Sequence, residues 1–173
     1  MIEILRLSHR ISRDHRISTH CGLVARALGA SKIYYSGDKD QSMEKSIFGV
    51  VENFGGSFTI EHVNEYNLIA KKKKEGYYIV HLTCYGLSIQ SEIENLRKIE
   101  NILVIVGGEK VEPEIYKQAN INLSITNQPH SELGALSIFM HEYYQGRELD
   151  LVFTNAKTVI KPSGLGKVVI KVD

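Results

Sequence analysis

The chain alternates between strand-like and helix-like segments along its whole length, and this alternation constrains the fold more than any other feature. Strand-like runs such as YYIVHL (77–82) and ILVIV (102–106) are apolar almost without interruption, which is typical of strands buried on both faces. The helix-like segments carry apolar residues three or four positions apart, as at Ile17, Cys21 and Val24. We therefore expect an α/β fold in which helices cover both faces of a parallel sheet.

The segments can be placed along the chain. The predicted strands lie at residues 2–7, 32–37, 57–63, 77–82, 102–106 and 121–125. The predicted helices lie at residues 17–29, 43–54, 64–74, 88–98, 113–119 and 131–145. The tail, TVIKPSGLGKVVIKV (158–172), instead suggests two short strands joined by a Pro/Gly turn. Since no linker or internal repeat interrupts the 173 residues, we expect a single domain over residues 1–173.

Composition and charge narrow the class of protein. The formal net charge is only +1, so any surface that binds nucleic acid must be local. No apolar run reaches the roughly 18–20 residues that span a bilayer, and charged residues interrupt the N-terminus where a signal peptide would be apolar. We therefore expect a cytoplasmic protein without membrane contact. Cys21 and Cys84 form no disulfide or zinc motif and the histidines lack metal-binding spacing, so we expect free thiols and no metal.

Positive charge is concentrated near the N-terminus, in LRLSHRISRDHRISTH (5–20). Four arginines, at positions 6, 10, 13 and 16, have only Asp14 as an acidic neighbour there, and three histidines lie among them. Because such a cluster repels itself, we expect an anionic partner to bind it. Arg6 lies within the first predicted strand, so pairing with a buried acid is an equal alternative. The lysine run 71–74 is interpreted as a solvated helix face, with RNA contact as the alternative.

Two further loops leave the carboxyl ends of predicted strands, where open parallel sheets bind their ligands. GGEKVEPE (107–114) has paired glycines, which either let the backbone approach a ligand closely or mark a plain turn. TNQPHSE (126–132) is dense in polar side chains. Ser131 can cap the following helix, and His130 is either structural or a ligand contact. The glycine fingerprints of dinucleotide-binding and P-loop proteins are missing, which leaves a nicotinamide oxidoreductase as a weak alternative.

Taken together, these motifs resemble a known family. RLSHRISRDHRISTH, VARALGA, IVGGEKV and ITNQPHSELGAL occur in the order seen in the archaeal tRNA cytidine(56)-2'-O-methyltransferases, which are SPOUT-class enzymes. The resemblance implies a sheet whose C-terminal portion forms a trefoil knot, S-adenosylmethionine as methyl donor, a homodimer, and tRNA as substrate. Methylation would fall on the 2'-hydroxyl of a T-loop cytidine. The apolar helix faces at 17–28 and 133–143 are either the dimer interface or ordinary core packing.

The resemblance also implies roles for individual residues. The family's cofactor-binding positions fall on Leu82, on Gly107, Gly108, Glu109, Lys110 and Val111, and on Ile125, Thr126, Asn127, Gln128, Pro129, His130, Ser131 and Glu132. RNA phosphates would meet Arg10, Arg13 and Arg16, because a guanidinium group binds phosphate through two parallel hydrogen bonds.

Ribose methylation needs a group that positions the hydroxyl and helps to remove its proton. By analogy with other SPOUT ribose methylases we predict Arg13 in this role, with Arg16 in the same catalytic group. An arginine keeps its proton in proteins, so Asp14, His20 and His130 are rival candidates for the base. Two other readings of the sequence remain. One is a SPOUT enzyme with another RNA target, and the other is a non-catalytic RNA-binding protein that uses the basic loop alone.

Overall fold

A sheet of six parallel strands forms the centre of the molecule, as the alternation of strands and helices predicts. The computed structural model describes residues 1–108 and 110–172. The strands are β1 Ile2–His9, β2 Lys32–Gly37, β3 Thr59–His62, β4 Tyr78–Ser88, β5 Ile102–Val106 and β6 Ile121–Ser124. They pair in the order β3-β2-β1-β5-β4-β6. The most apolar strand of the sequence, β5, therefore lies between β1 and β4, where both of its faces are covered.

Helices cover both faces of this sheet. They are α1 Ile11–Ala27, α2 Gln41–Phe54, α3 Glu65–Lys74, α4 Ile89–Leu96, α5 Pro113–Gln118 and α6 Glu132–Tyr144, followed by a 3-10 turn at Arg147–Asp150. A side-chain oxygen accepts a hydrogen bond from a first-turn amide of α2, α3, α4 and α6, at Asp40, Asn64, Ser88 and Ser131 respectively. These caps satisfy amides that have no partner within the helix, which explains why the helices begin where they do.

Successive residues of the central strands point to opposite faces and so build two cores. Ile4 and Val104 belong to the first core, which also contains Phe139 of α6. Leu5 and Ile105 belong to the second core, against the apolar residues of α3 and α5. Of the apolar residues predicted along the last helix, Leu136 and Met140 are fully buried in the first core. Of the two roles predicted for this helix face, these two side chains therefore have core packing and not a place in an interface.

Two predicted boundaries are wrong by more than two residues, and both lie beside the carboxyl ends of the strands. The first helix begins at Ile11 rather than at residue 17, because its first turns are polar and show no apolar period. Strand β4 continues to Ser88 rather than ending at residue 82. Its pairing with β6 is interrupted between Leu82 and Leu87, and polar residues follow the apolar run there. The sequence therefore underestimates how much regular structure reaches the edge of the sheet.

The lysine run at the end of α3 is only partly a solvated face, which corrects the prediction. Lys72 is 5% exposed, whereas Lys71, Lys73 and Lys74 are exposed. The Lys72 Nζ lies 2.7 Å from Glu3 Oε2 and 3.1 Å from Glu75 Oε2. The sequence could not show this burial, because Glu3 lies in β1, far from Lys72 in the sequence.

The tail forms the predicted strand pair. Strands β7 Thr158–Lys161 and β8 Val168–Lys171 are antiparallel. The segment before β7 is held against α1, where the Arg26 guanidinium lies 4.3 Å from the centre of the Phe153 ring. Across the described residues, no helix has the length and hydropathy needed to cross a membrane. The trefoil knot implied by the resemblance stays a prediction.

Candidate active site

A cleft of about 590 Å³ opens at the carboxyl ends of β1, β4 and β5. It is lined by residues from four segments that are remote in the sequence: the start of α1, the end of β4, the loop after β5, and the loop that enters α6. This is the edge at which parallel α/β sheets bind ligands. The cleft therefore brings together the three loops that the sequence analysis singled out.

Arg6 lies at the base of the cleft and pairs with an acid, which is one of the two alternatives left open by the sequence. Its side chain is almost fully buried, and its Nη2 lies 3.1 Å from Glu132 Oε1. Its Nη1 also donates a hydrogen bond to the Leu7 carbonyl at 2.8 Å. Arg6 thus pairs with an acid, yet that acid belongs to the third loop and both residues line the cleft. The ion pair therefore joins two segments of the site.

Arg10 and Asp14 form a second pair at the rim. The Arg10 side-chain Nε and backbone amide both donate hydrogen bonds to Asp14 Oδ2, at 3.1 Å and 3.2 Å. Burial would raise the pKa of the Asp14 carboxyl, but the hydrogen bonds and charge of Arg10, together with the charge of Arg6, outweigh it and lower that pKa. Asp14 is therefore an ionised, weakly basic carboxylate that orients Arg10.

The remaining arginines of the basic segment extend from the first turns of α1. Arg13 and Arg16 are both exposed and both line the cleft. Their spacing of three residues places them on the same face of the helix. Both residues lie in a helix, whereas the sequence analysis placed them in a loop. The two side chains present positive charge at the mouth of the cleft.

The histidines of the basic segment lie away from the cleft. His9 Nδ1 is 2.9 Å from Ser18 Oγ, and His9 Nε2 and His15 Nδ1 lie 3.3 Å and 2.8 Å from Asp40 Oδ2. Burial would raise the pKa of Asp40, but hydrogen bonds from His15 and from two backbone amides lower it to about 2. These contacts fix the start of α1 against α2. His20 is exposed on α1 and, as far as the described residues show, outside the cleft.

In the second loop, neighbouring side chains leave little room for a Cβ atom at either glycine. A Cβ atom at Gly107 would overlap with Val111 Cγ2, and one at Gly108 would lie 3.4 Å from Arg6 Nη1. Gly107, Gly108 and Val111 line the cleft together with Leu82 of β4. Lys110 lines a smaller adjoining cavity of about 300 Å³. The predicted cofactor residue Glu109 lies outside the described residues.

The third loop divides into residues that face the cleft and residues that hold the loop. Pro129, His130 and Glu132 line the cleft. Asn127 Nδ2 donates hydrogen bonds to the carbonyl oxygens of Cys84 at 2.7 Å and Gly86 at 3.3 Å, which fastens this loop to the end of β4. The others lie outside the cleft lining: Ile125 packs against the first core, Ser131 caps α6, and Thr126 and Gln128 are exposed.

The sequence and the fold of this chain have counterparts among known proteins. Residues 54–170 match the family described as "tRNA ribose 2'-O-methyltransferase, aTrm56". The chain belongs to this family. The tRNA (cytidine(56)-2'-O)-methyltransferase of Methanocaldococcus jannaschii is 47% identical over 99% of this chain and 97% of its own length. The protein of the same name from Methanocorpusculum labreanum is 44% identical over 97% of this chain and 91% of its own length. The family predicted from the motifs is confirmed.

Solved structures place this family member among SpoU-type folds. The A. aeolicus TrmH/SpoU tRNA modifying enzyme has a TM-score of 0.62 at 19% identity, covering 85% of this chain and 75% of that one. The SpoU methyltransferase AviRb from Streptomyces viridochromogenes, in complex with the cofactor AdoMet, has a TM-score of 0.60 at 15% identity, covering 85% and 57%. At these identities the likeness establishes a common fold.

Sequence reasoning missed one wall of the site. His81, Thr83, Cys84, Tyr85 and Tyr116 all line the cleft. The first four continue directly from the apolar run of β4, in the letters HLTCY. Four polar or aromatic residues at the carboxyl end of a buried strand are a usable signal, because this is where ligands meet a parallel sheet. Tyr116, on α5, carries no comparable signal.

Proposed function

We propose that this chain transfers the methyl group of S-adenosylmethionine to the 2'-oxygen of cytidine 56 in tRNA. The cleft carries this proposal, because it joins arginines at its mouth to the predicted cofactor loops at its base. Family membership supports the reaction class. The names of the relatives, which match nearly the whole chain, support the nucleotide and its position.

The cleft suits the cofactor in size and in chemistry. Its volume of about 590 Å³ lies within the range of ordinary small-molecule sites. Leu82, Val106 and Val111 give it an apolar wall, and the Arg6–Glu132 pair places opposite charges at its base. When bound, S-adenosylmethionine supplies a sulfonium methyl group, which an attacking oxygen can take up by in-line displacement.

The arginines of α1 would act on the ribose and its neighbouring phosphates. The target hydroxyl oxygen must lose its proton while its bond to the methyl carbon forms and the bond from that carbon to sulfur breaks. Arg13 keeps its own proton, so its role is to stabilise the negative charge that develops on the oxygen. Arg10 and Arg16 would hold phosphates, with Asp14 fixing Arg10.

His130 is the candidate base that this geometry favours. It lines the cleft and is exposed, and its Nδ1 lies 3.2 Å from the Ser131 carbonyl oxygen. A carbonyl oxygen only accepts, so this contact favours a proton on Nδ1 and leaves Nε2 able to accept one. Asp14 is the weaker candidate because its pKa is lowered. His20, exposed on α1, would contribute only to a site completed by a second subunit.

We propose a homodimer in which α1 and α6 face a second copy. A shallow apolar groove lies between these helices, lined by Val24, Leu28, Ile138 and Leu149 among others. Ile138 is 46% exposed and Leu149 is 66% exposed. Light scattering at micromolar concentration should give twice the mass of one chain, and the double variant Ile138→Asp/Leu149→Asp should give a monomer. A wild-type monomer would contradict the dimer.

We also propose that residues 1–173 act as one cytoplasmic domain with the knotted path of the SPOUT class. The tail supports the single domain, since the Gly56 amide donates a hydrogen bond to the Thr154 carbonyl at 2.8 Å. Limited proteolysis should release no stable fragment that lacks the tail.

The reaction is tested with unmodified tRNA transcript and methyl-labelled S-adenosylmethionine, followed by nucleoside analysis. We expect labelled 2'-O-methylcytidine, and no label when cytidine 56 of the transcript is changed to uridine. Label that persists in this control would move the target to another nucleotide. Absence of both label and cofactor binding would leave a non-catalytic RNA-binding protein.

A further inference from the structure

A second cavity, of about 300 Å³, adjoins the cleft at the carboxyl ends of β1 and β2. Arg10 and Gly108 line both cavities, so the two spaces meet at these residues. The second cavity is lined by side chains of both signs, the basic Arg10 and Lys110 and the acidic Asp38 and Glu65. Carboxylates only accept hydrogen bonds, and ammonium and guanidinium groups only donate them. A ligand that fits here therefore offers donors as well as acceptors.

Backbone forms part of the lining of this second cavity. Gly37 has a φ of 99°, and a Cβ atom there would lie only 2.3 Å from the His9 carbonyl oxygen. The Asp38 amide donates a hydrogen bond to the same oxygen at 2.8 Å. The exposed Ser8 has a φ of 55°, a left-handed conformation that residues other than glycine rarely adopt. The ends of β1 and β2 thus approach closely and leave a side-chain-free surface at Gly37, against which a flat ring can lie.

The two acids of the second cavity differ in what they already bind. Asp38 Oδ2 accepts a hydrogen bond from the Ile11 amide at 3.1 Å, which holds the first turn of α1. Glu65 lies in the first turn of α3 and is half-buried. In the described part of the chain, its carboxylate has no hydrogen bond or ion pair. Glu65 is therefore the acid that is able to accept a donor from a ligand.

The position of the second cavity limits which ligand occupies it. In the proposed reaction the cofactor fills the cleft, and the ribose 2'-oxygen meets the methyl group there. The base is attached to the neighbouring ribose carbon, so it lies beside the reacting atoms. A phosphate group has only acceptors and would be repelled by the two acids, whereas the edge of cytosine offers an amino donor next to ring acceptors. Bases in single-stranded RNA loops can turn outward into such a pocket.

We propose that the second cavity binds the cytosine ring of the target nucleotide, with Glu65 accepting a hydrogen bond from its 4-amino group. This inference rests on the proposed function and deepens it, because it names the side chain that distinguishes cytidine from uridine. Lys110 donates to the ring acceptors of the same edge. Uridine has a carbonyl oxygen where cytidine has the amino group, and this oxygen would face the Glu65 carboxylate as a second acceptor without a proton between them.

The test measures methyl transfer to two transcripts that differ only at nucleotide 56. One carries cytidine, and the other carries pyrimidin-2-one riboside, which has hydrogen in place of the 4-amino group. Wild-type kcat/KM should be roughly 10–100-fold lower for the second transcript, because a hydrogen bond to a charged group is lost. In Glu65→Ala this factor should fall to about one, since the acceptor is gone. Glu92→Ala is the matched control and should keep the wild-type factor. Glu92 is also half-buried in the first turn of a helix, α4, but lines neither cavity.

Glu65→Gln gives an independent readout. The amide nitrogen of glutamine can donate to the 4-oxygen of uridine, so this variant should methylate a uridine-56 transcript at least about tenfold faster than wild type does. Alanine and glutamine both suit a helix, so both variants should fold. Because the same transcripts are compared across variants, an effect of the base change on RNA folding cancels.

Either of two results would overturn the inference while methylation of cytidine 56 stands. One is an unchanged factor in Glu65→Ala, and the other is a Glu65→Gln variant that methylates the uridine-56 transcript no faster than wild type. Wild-type protein that does not methylate the cytidine-56 transcript would overturn the proposed function as well.

Discussion

Two groups of charged residues lie at opposite ends of the same sheet, and they differ in how far they are exposed to solvent. At the amino ends of the strands, Lys72 lies between Glu3 and Glu75, and Tyr77 donates a hydrogen bond to Glu3 at 3.1 Å. We call these four residues the amino-end cluster. Burial would lower the pKa of Lys72, but its contacts with the two acids raise it. Every charge in this cluster is met by the chain itself.

At the carboxyl ends, the basic segment of β1 and α1 lines an open cleft. Arg6 and Arg10 contact Glu132 and Asp14, and the exposed Arg13 and Arg16 lie at the mouth of the cleft. The comparison teaches that a run of like charges in the sequence does not reveal its role. One lysine of the α3 run, Lys72, forms a buried structural ion pair, whereas the arginines of α1 line an open cleft.

Removal of Lys72 should have the largest effect on stability. Lys72→Met leaves Glu3 buried without its cation, so the free energy of unfolding should fall by roughly 3–5 kcal/mol. The exposed neighbour Lys74→Met is the matched control and should change it by less than about 0.5 kcal/mol. Urea denaturation measures both. Equal stability of the two variants would show that the amino-end cluster is not structural.

Removal of Arg13 should have the largest effect on activity. Arg13→Ala should lower kcat for methyl transfer by roughly 10²–10³-fold at saturating cofactor, because the developing negative charge loses its stabilising donor. Lys45→Ala, at an exposed position on α2, is the control. Near-full activity of Arg13→Ala would remove Arg13 from the mechanism and move the search to Arg16.

Asp40 should have an intermediate effect that depends on pH. Its pKa is lowered from 3.8 to about 2 in the folded protein, so its contribution is complete above pH 4 and is lost as the pH falls toward 2. Asp40→Asn should therefore be less stable by about 2 kcal/mol at pH 7. The two proteins should converge in acid. Parallel stability curves from pH 7 to pH 2, as expected for the exposed control Asp150→Asn, would contradict this.

Arg16 should have the smallest effect, visible mainly in salt dependence. Loss of one phosphate contact should reduce the slope of log K against log salt for tRNA binding by about 1. Fluorescence titration of tRNA at several salt concentrations gives this slope for wild type and Arg16→Ala. An unchanged slope would mean that Arg16 faces the cleft without reaching a phosphate.

The sequence predicts the sheet well, because buried parallel strands carry their own signal. All six predicted strands exist, and the pair in the tail exists as well. The predicted boundaries are wrong where β4 and α1 approach the cleft, because the residues there are mostly polar and lack an apolar period. A helix that begins at Ile11 therefore looks like a loop until residue 17.

The site was predictable as a meeting of loops but not residue by residue. Parallel strands bring their carboxyl ends together, so the convergence of the three loops follows from fold class. Side-chain direction does not. Asn127 turns toward backbone carbonyls of β4, and Arg6 finds its acid in Glu132, contacts that depend on residues far away in the sequence. For the same reason Lys72 could not be distinguished from its neighbours.

The strand order has a consequence for how the chain is made. β1 pairs with β2 on one edge and with β5 on the other, where Ile2 lies opposite Ile102. During synthesis at about 5–20 residues per second, roughly 5–20 s pass before β5 can emerge to cover β1. Through that interval the nascent chain presents an apolar strand with an open edge, the surface that most invites aggregation. Until the middle of the sheet arrives, we expect β1 to need protection by chaperones or by rapid packing of α1.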